Sequence, residues 1–363
     1  MKSNYFLFLS VILKRMSRDK IIVVLGLTAS GKSDLAVRLA KKIGDLKQSS
    51  GLFGQNSRGE FLGEVVSADS RQVYKGLDIG TGKVPNDKIL NFEFRILNQK
   101  RKKECLKINT LEIDSKLKIR NFYFYKGVRH HLIDVASPKK VFTVADYRRL
   151  GRKAIKDILS RGKLPIICGG TGFYIDALIY DSPLPEAPPQ KDLREKLEKK
   201  TNEELFQELK KLDLKTAQKI DGKNKRRLVR ALEIVMTTGK PVPIIKKKPL
   251  FDVLKIGIRR DDKELKELIE ERLLKRIDEG MIEEAENLHK KGLSWKRIEE
   301  LGLEYRYLSR YLRGLITKDE MIQSLKNEIR HYAKRQMTWF KKDGEIRWVE
   351  DINEAEKTIS NWL

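Results

Sequence analysis

The 363-residue chain is poor in several things, and each shortage removes a class of explanation. It has two cysteines, Cys105 and Cys168, and no Cys-x-x-Cys pair. A disulfide scaffold and a cysteine-based zinc site are both excluded, and the usage suits a reduced, cytoplasmic setting. It has no apolar run long enough for a bilayer: Tyr5–Leu13 (YFLFLSVIL) falls far below the roughly 20 residues required. No small-residue cleavage site follows that run, which argues against a secretory signal. Met16 offers a second start, which would make the preceding residues an upstream extension. Acidic residues are also short, 51 against 77 lysines and arginines, leaving a net charge of +26. That surplus points to a polyanionic partner or, more blandly, to a lysine-rich solvated surface. Hydrophobic residues at 40% suffice for a real core, so the chain is not globally disordered.

The order of patterns predicts an α/β fold. Ile21–Leu25 (IIVVL) reads as a buried parallel strand, and Leu35, Leu39 and Ile43 mark one face of the helix after it. Further strands are expected at Glu64–Ser67, His130–Val135, Leu164–Cys168 and Val253–Ile258, with IRWV (346–349) near the end. Thr143 with Asp146 forms a capping box ahead of a helix to about Ser160. The alternation is that of a parallel sheet with crossover helices. SPLPEAPP (182–189) holds four prolines and marks a boundary. The expected division is an extension (1–20), an α/β core (21–182), a helical insertion (183–250) and a mostly helical remainder of the core (251–363). Within the core, two insertions are expected, at about 45–62 and 86–126. The stretch Lys88–Lys126 carries 11 Lys/Arg against 4 Asp/Glu, with Phe92, Phe94, Phe122, Tyr123, Phe124 and Tyr125 near its ends. It reads either as an RNA-binding hairpin or as an insertion whose aromatics dock on the core.

The chemistry starts at Gly26–Ser33, GLTASGKS, a complete G-x-x-x-x-G-K-[ST] phosphate loop between strand and helix. Backbone N–H groups from Thr28 through Ala29, Ser30 and Gly31 to Lys32 would curl around phosphate oxygens. Lys32 adds charge, and Ser33 is a candidate Mg²⁺ ligand. Gly26 and Gly31 allow backbone angles and approaches that a Cβ forbids. The loop implies a diphosphate or nucleotide and leaves the reaction open among kinase, NTPase and pyrophosphate-expelling transferase. Asp69 follows a strand at the carboxyl edge of the sheet, where ligands bind in open α/β folds. It reads as a general base, as a metal ligand, or, with Ser70, as the cap of a helix starting near Arg71. Asp134 ends an apolar strand and reads as a loop cap or an indirect Mg²⁺ ligand. The adjacent His130 and His131 would face opposite ways on a strand, against a shared metal. Cys168 reads as a buried small hydrophobe. Lys334, Thr338 and Lys341 form either an RNA-facing stripe or a solvated helix face.

Read in order, GLTASGKS, SADSRQVYKGLDIGTGK, HHLIDV, FTVADYR, GGTGFYIDAL, RRLVRALEI and AKRQMTWF resemble the tRNA dimethylallyltransferases (tRNA isopentenyltransferases). The resemblance runs from about Ile21 to Trp348. It implies a P-loop α/β fold and transfer of a dimethylallyl group from dimethylallyl diphosphate to N6 of adenine 37, beside the anticodon. It also implies that the loop from Gly26 to Ser33 holds the prenyl diphosphate with Mg²⁺, and that Asp69 is the general base. Asp69, Ser70, Arg71, Gln72, Thr171, Arg194 and Arg226–Arg230 (with Arg227, Leu228 and Val229) fall on positions facing the tRNA anticodon arm, which the helical insertion grips. The implied setting is cytoplasmic, as a monomer with no membrane and no obligate protein partner. A P-loop small-molecule kinase is the alternative. One departure stands out: where the family carries a diphosphate-contacting arginine before a Gly-Tyr-Arg segment, this chain has RIEELGLEYRYL, with Leu301 and Glu304 in the critical places and Arg297 and Arg306 as substitutes with no clear position.

Overall fold

The computed structural model describes residues 18–49, 62–87, 123–185, 187–243 and 247–363. The N-terminal apolar run, Met16, Cys105, Phe92, Phe94, Phe122 and most of the two insertions lie outside those residues.

Two compact units emerge, residues 1–179 with 249–363, and Tyr180–Lys248. In the larger, seven strands form one sheet: β1 (Lys20–Gly26), β2 (Gly63–Ser67), β3 (Tyr123–Tyr125), β4 (Val128–His131), β5 (Leu164–Gly169), β6 (Asp252–Ile258) and β7 (Ile346–Val349), in the order β3-β4-β2-β5-β1-β6-β7. Every pair is parallel except β3 with β4. The central strands are apolar on both faces because helices cover both, which is why β1, β2 and β5 are buried almost throughout. Ile22 and Val24 point toward helix α1 (Lys32–Ser49), meeting Leu35, Leu39 and Ile43 in one core. The alternate residues, Ile21 and Val23, face the other side. Helices α2 (Val144–Ser160) and α3 (Gly172–Ile179) follow the crossovers before and after β5. The box at the start of α2 is formed as its residues predict: Thr143 Oγ1 accepts from Asp146 N at 3.2 Å, and Asp146 Oδ2 accepts from Thr143 N at 3.1 Å.

Two local expectations are corrected, and one open alternative is resolved for two rings. The strand expected over His130–Val135 is Val128–His131, because Leu132 (φ 64°) and Asp134 (φ 56°) adopt left-handed backbone and turn the chain away. Released from the sheet, Asp134 N and Val135 N donate instead to the carbonyls of Gln72 and Val73. Residues 45–49, expected in a loop, continue α1. The end of the second insertion is a hairpin: Lys126 (φ 49°) and Gly127 (φ 77°) make the two-residue turn that joins β3 to β4. Tyr123 and Phe124 are buried there, the docked alternative for those two rings.

The smaller unit contains α4 (Lys191–Glu198), α5 (Asn202–Leu212), α6 (Leu214–Ala217) and α7 (Lys225–Thr238), packed around Leu197, Leu205, Leu209, Leu228 and Leu232. The larger unit ends in α8 (Asp262–Asp278), α9 (Met281–Lys290), α10 (Trp295–Leu301), α11 (Leu303–Leu312), the long α12 (Lys318–Phe340), then β7 and α13 (Ile352–Ser360). Among the described residues no helix is long and apolar enough to cross a membrane.

Candidate active site

The loops after β1, β2 and β5 emerge side by side, because those strands are neighbours in the sheet. The first is the phosphate loop. Gly26 closes β1, and a Cβ there would come within 2.7 Å of Ser30 Oγ. Ala29 (φ 63°) and Gly31 (φ 86°) both take left-handed backbone, the kind of turn that anion-binding loops use. At Ala29 that conformation costs on the order of 1 kcal/mol or more, a strain typical of ligand-gripping loops. Thr28 N already donates to Gln336 Oε1 of α12 at 2.9 Å, while Gln336 Nε2 donates to the Gly170 carbonyl at 2.9 Å. One buried glutamine thereby ties the loop after β1 to the loop after β5.

Lys32 Nζ rests on the Leu27 carbonyl at 3.0 Å. Burial holds its ammonium below the usual lysine range, and the nearby Arg272 guanidinium pushes the same way. Arg272, from α8, is in turn depressed by burial and by Arg276. Its guanidinium donates to the Gly82 carbonyl at 3.1 Å. Both cations line a cavity of about 790 Å³ that the phosphate loop floors and Ser33 also lines. Arg272 is a cavity-lining cation that sequence reasoning missed. It lies in a helix full of charges, ELIEERLLKRI, and no spacing rule separates it from its neighbours. The substitutes suggested for the absent arginine do not line this cavity. Arg297 instead donates to the carbonyls of Pro138 and Lys140, and Leu301 is core.

Asp69 sits just past β2. Its Oδ1 accepts from Arg71 N at 2.8 Å and Gln72 N at 3.4 Å, so it caps a turn, and no helix begins at Arg71. Its carboxylate lies within electrostatic range of Lys32, Arg272, Tyr147, Tyr174, Tyr332 and Cys168, though it does not line the cavity itself. Ser70 N donates to Thr171 Oγ1 at 3.3 Å, locking the turn after β2 to the turn after β5. Gln72 is engaged inward, accepting from Ser67 Oγ and donating to the Gly82 carbonyl. Arg71 donates to the Glu300 carbonyl at 3.2 Å. Beside Thr171, the rings of Phe173 and Trp339 meet edge to face at 6.5 Å and stay 41% and 40% exposed. On α12, Tyr332, Arg335, Gln336 and Trp339 share one face by helical spacing, and it is this face, not the Lys334–Thr338–Lys341 one, that meets the site. Cys168 lies under the loop, its Sγ donating to the Lys32 carbonyl at 3.5 Å; burial pushes its thiol up to about 11. Asp134 pairs with Lys83, whose Nζ also reaches Asp78.

In the smaller unit, Arg226 and Arg227 are exposed, whereas Leu228 and Val229 have their side chains in the core. Arg194 and Arg230 both bind the fully buried Glu233, Arg194 through Nε at 2.7 Å and Nη2 at 2.8 Å. His130 and His131 face opposite ways, to the Val128 carbonyl and to Glu64, so they share no ligand.

A strained phosphate loop, two half-buried cations that make no ion pair among the described residues and a carboxylate in electrostatic range of both mark a P-loop enzyme. The comparisons make the class particular. The family model described as IPP transferase matches residues 112–343. The tRNA dimethylallyltransferase of Anoxybacillus flavithermus is 35% identical over 92% of this chain and 90% of its own length. The tRNA dimethylallyltransferase 2 of Treponema denticola is 38% identical over 90% of this chain and 95% of its own. Among solved structures, the full-length tRNA isopentenylpyrophosphate transferase of Bacillus halodurans superposes with a TM-score of 0.60 at 30% identity, covering 95% of both chains. The chain belongs to the IPP transferase family.

Proposed function

We propose that this protein is a tRNA dimethylallyltransferase: it moves the dimethylallyl group of dimethylallyl diphosphate onto N6 of adenine 37 beside the anticodon and releases pyrophosphate. The observation that carries the reading is the pair Lys32 and Arg272. Among the described residues neither makes an ion pair, yet both are half-buried and line one cavity floored by the phosphate loop. Such a site is short of a polyanion.

In the reaction the C1–O bond to diphosphate breaks and the N6–C1 bond forms. The bonding pair leaves on pyrophosphate, whose growing charge the loop N–H groups, Lys32 and Arg272 stabilise. N6 is a weak nucleophile because its lone pair is delocalised into the purine, so Asp69 takes its proton as the new bond forms. Asp69 Oδ1 is fixed by two backbone N–H groups, which leaves Oδ2 for the adenine. Ser33 brings a hard oxygen to the cavity beside the phosphate loop and would hold Mg²⁺ there. Mg²⁺ held there would neutralise charge on the departing diphosphate. The adenine must leave its stack to reach the prenyl carbon, and a single-stranded loop makes that inexpensive. Phe173 and Trp339 offer flanking bases an exposed stacking surface, with Arg335 nearby for phosphate. In the smaller unit, Arg226 and Arg227 supply further phosphate contacts. We place the protein in the cytoplasm, as a monomer. A small-molecule kinase has only the phosphate loop and Asp69 in its favour, and the family argues against it.

The test is incubation with labelled dimethylallyl diphosphate, Mg²⁺ and an anticodon stem-loop carrying A36-A37-A38. Label enters the RNA with the natural enzyme. Asp69→Ala loses incorporation while keeping stem-loop affinity. Tight ATP binding with indifference to dimethylallyl diphosphate would overturn the reading.

A further inference from the structure

The segment Leu77–Lys83 (LDIGTGK) forms one wall of the diphosphate cavity, through Asp78, Ile79, Gly82 and Lys83, yet the reaction as derived uses none of its side chains. Its backbone is held in an unusual way. Three successive N–H groups converge on one carboxylate, that of Glu284 on α9. Asp78 N and Ile79 N donate to Oε2 at 2.6 and 2.8 Å, and Gly80 N donates to Oε1 at 2.9 Å. The buried Tyr305 of α11 donates a fourth bond, hydroxyl to Oε1, at 2.7 Å. Consecutive N–H groups arranged this way form an anion nest, and here the anion belongs to the protein itself.

The wall is pinned further along by the two arginines of α8. Arg276 donates to the Gly80 carbonyl at 2.9 Å, and Arg272 donates to the Gly82 carbonyl at 3.1 Å. Gly82 has φ 59°, and a Cβ there would run into the Arg272 guanidinium, so glycine is required for that contact. Arg272 is therefore placed partly by the wall it touches. Whatever fixes residues 78–82 also fixes the cation that meets the diphosphate.

We propose that Glu284 is a positioning residue for diphosphate capture: its carboxylate fills the 78–80 nest and, through Gly82, sets Arg272 against the cavity. This rests on the reading of the cavity as a diphosphate site. The sign of the effect separates positioning from simple electrostatics. Glu284 is negative and lies behind a wall of the anion's cavity, so deleting its charge alone would tighten anion binding. Loss of positioning weakens it.

The measurement is calorimetric titration of the full chain with inorganic pyrophosphate and Mg²⁺, with anticodon stem-loop affinity and thermal melting as controls. In Glu284→Ala the pyrophosphate Kd rises about 10-fold, the equivalent of one or two lost hydrogen bonds. In Glu284→Gln, which keeps one acceptor oxygen for Asp78 and Ile79, it rises about 3-fold, and stem-loop affinity is unchanged in both. Should the alanine variant fail to fold, the glutamine variant carries the test alone. Unchanged or tighter pyrophosphate binding in either folded variant overturns the proposal, as does parallel loss of stem-loop binding. No pyrophosphate binding by the natural protein would instead overturn the diphosphate reading of the cavity.

Discussion

At the scale of single residues, the proposed function divides the site into groups that would meet the diphosphate and groups that would meet the base. Arg272 belongs to the first. Arg272→Ala should raise the pyrophosphate Kd about 100-fold, since a charge-assisted bond in a desolvated pocket contributes about 1.5–3 kcal/mol, and leave stem-loop binding intact. Arg272→Lys should recover only part of the loss, because an ammonium lacks the fork that bonds the Gly82 carbonyl and an anion together. Trp339 belongs to the second group. Trp339→Ala should raise KM for the stem-loop about 10-fold with little change in KM for dimethylallyl diphosphate, as expected for one lost stacking contact of about 1–3 kcal/mol. Equal changes in both constants would remove it from the RNA surface. Lys32, Ser33 and Asp69 were legible because loop spacing and strand ends announce them. Arg272 and Glu284 were not, for a physical reason: Arg272 acts across 190 residues of chain on the backbone of Gly82, and Glu284 across 206 on that of Asp78. A bond to a peptide group leaves no trace in the identity of its partner.

At the scale of elements, sequence cues worked where the structure is local. The Thr143–Asp146 box and the β1-loop-α1 unit depend on neighbours within a few residues, and the sequence reading of each stands in the structure. The His130–Val135 strand came out short because HHLIDV is apolar enough for a strand throughout. What stops it is left-handed backbone at Leu132 and Asp134, stabilised by the distant Gln72 and Val73 carbonyls. Helix α7 gives a prediction of its own. Glu233 is fully buried and gathers Arg194, Arg230 and the Gln190 N–H onto one carboxylate. Removing the centre of such a cluster strands its partners, so Glu233→Ala should cost the helical unit about 3 kcal/mol, read as an earlier melting transition. Pyrophosphate binding should stay near normal, since every contact in that cluster lies within Tyr180–Lys248.

At the scale of the whole molecule, acid is the condition to which the fold is most exposed. Burial lowers His130 to about 4 from its ordinary 6.5, so the folded chain keeps it neutral while the unfolded chain protonates it below 6.5. Stability from this group is complete above pH 6.5 and is lost as the pH falls toward 4, by about 3 kcal/mol at most. Glu64 extends the loss below pH 4.5: burial raises its carboxyl, but hydrogen bonds from Arg161 and His131 outweigh that and hold it well below the usual range. Urea midpoints should therefore drop steadily between pH 7 and pH 4, and His130→Gln should flatten the upper part of that slope. A profile level across this window would contradict the buried neutral imidazole. The bridge made by Gln336 reaches furthest of all. The peptide that cradles phosphate is written at residues 26–33, yet its Thr28 N–H is held by a side chain 308 positions later, and β1 itself is flanked by β6 from beyond residue 250. A ribosome has thus nearly finished its work before the cradle exists, and any fragment released early carries the loop's letters without the grip.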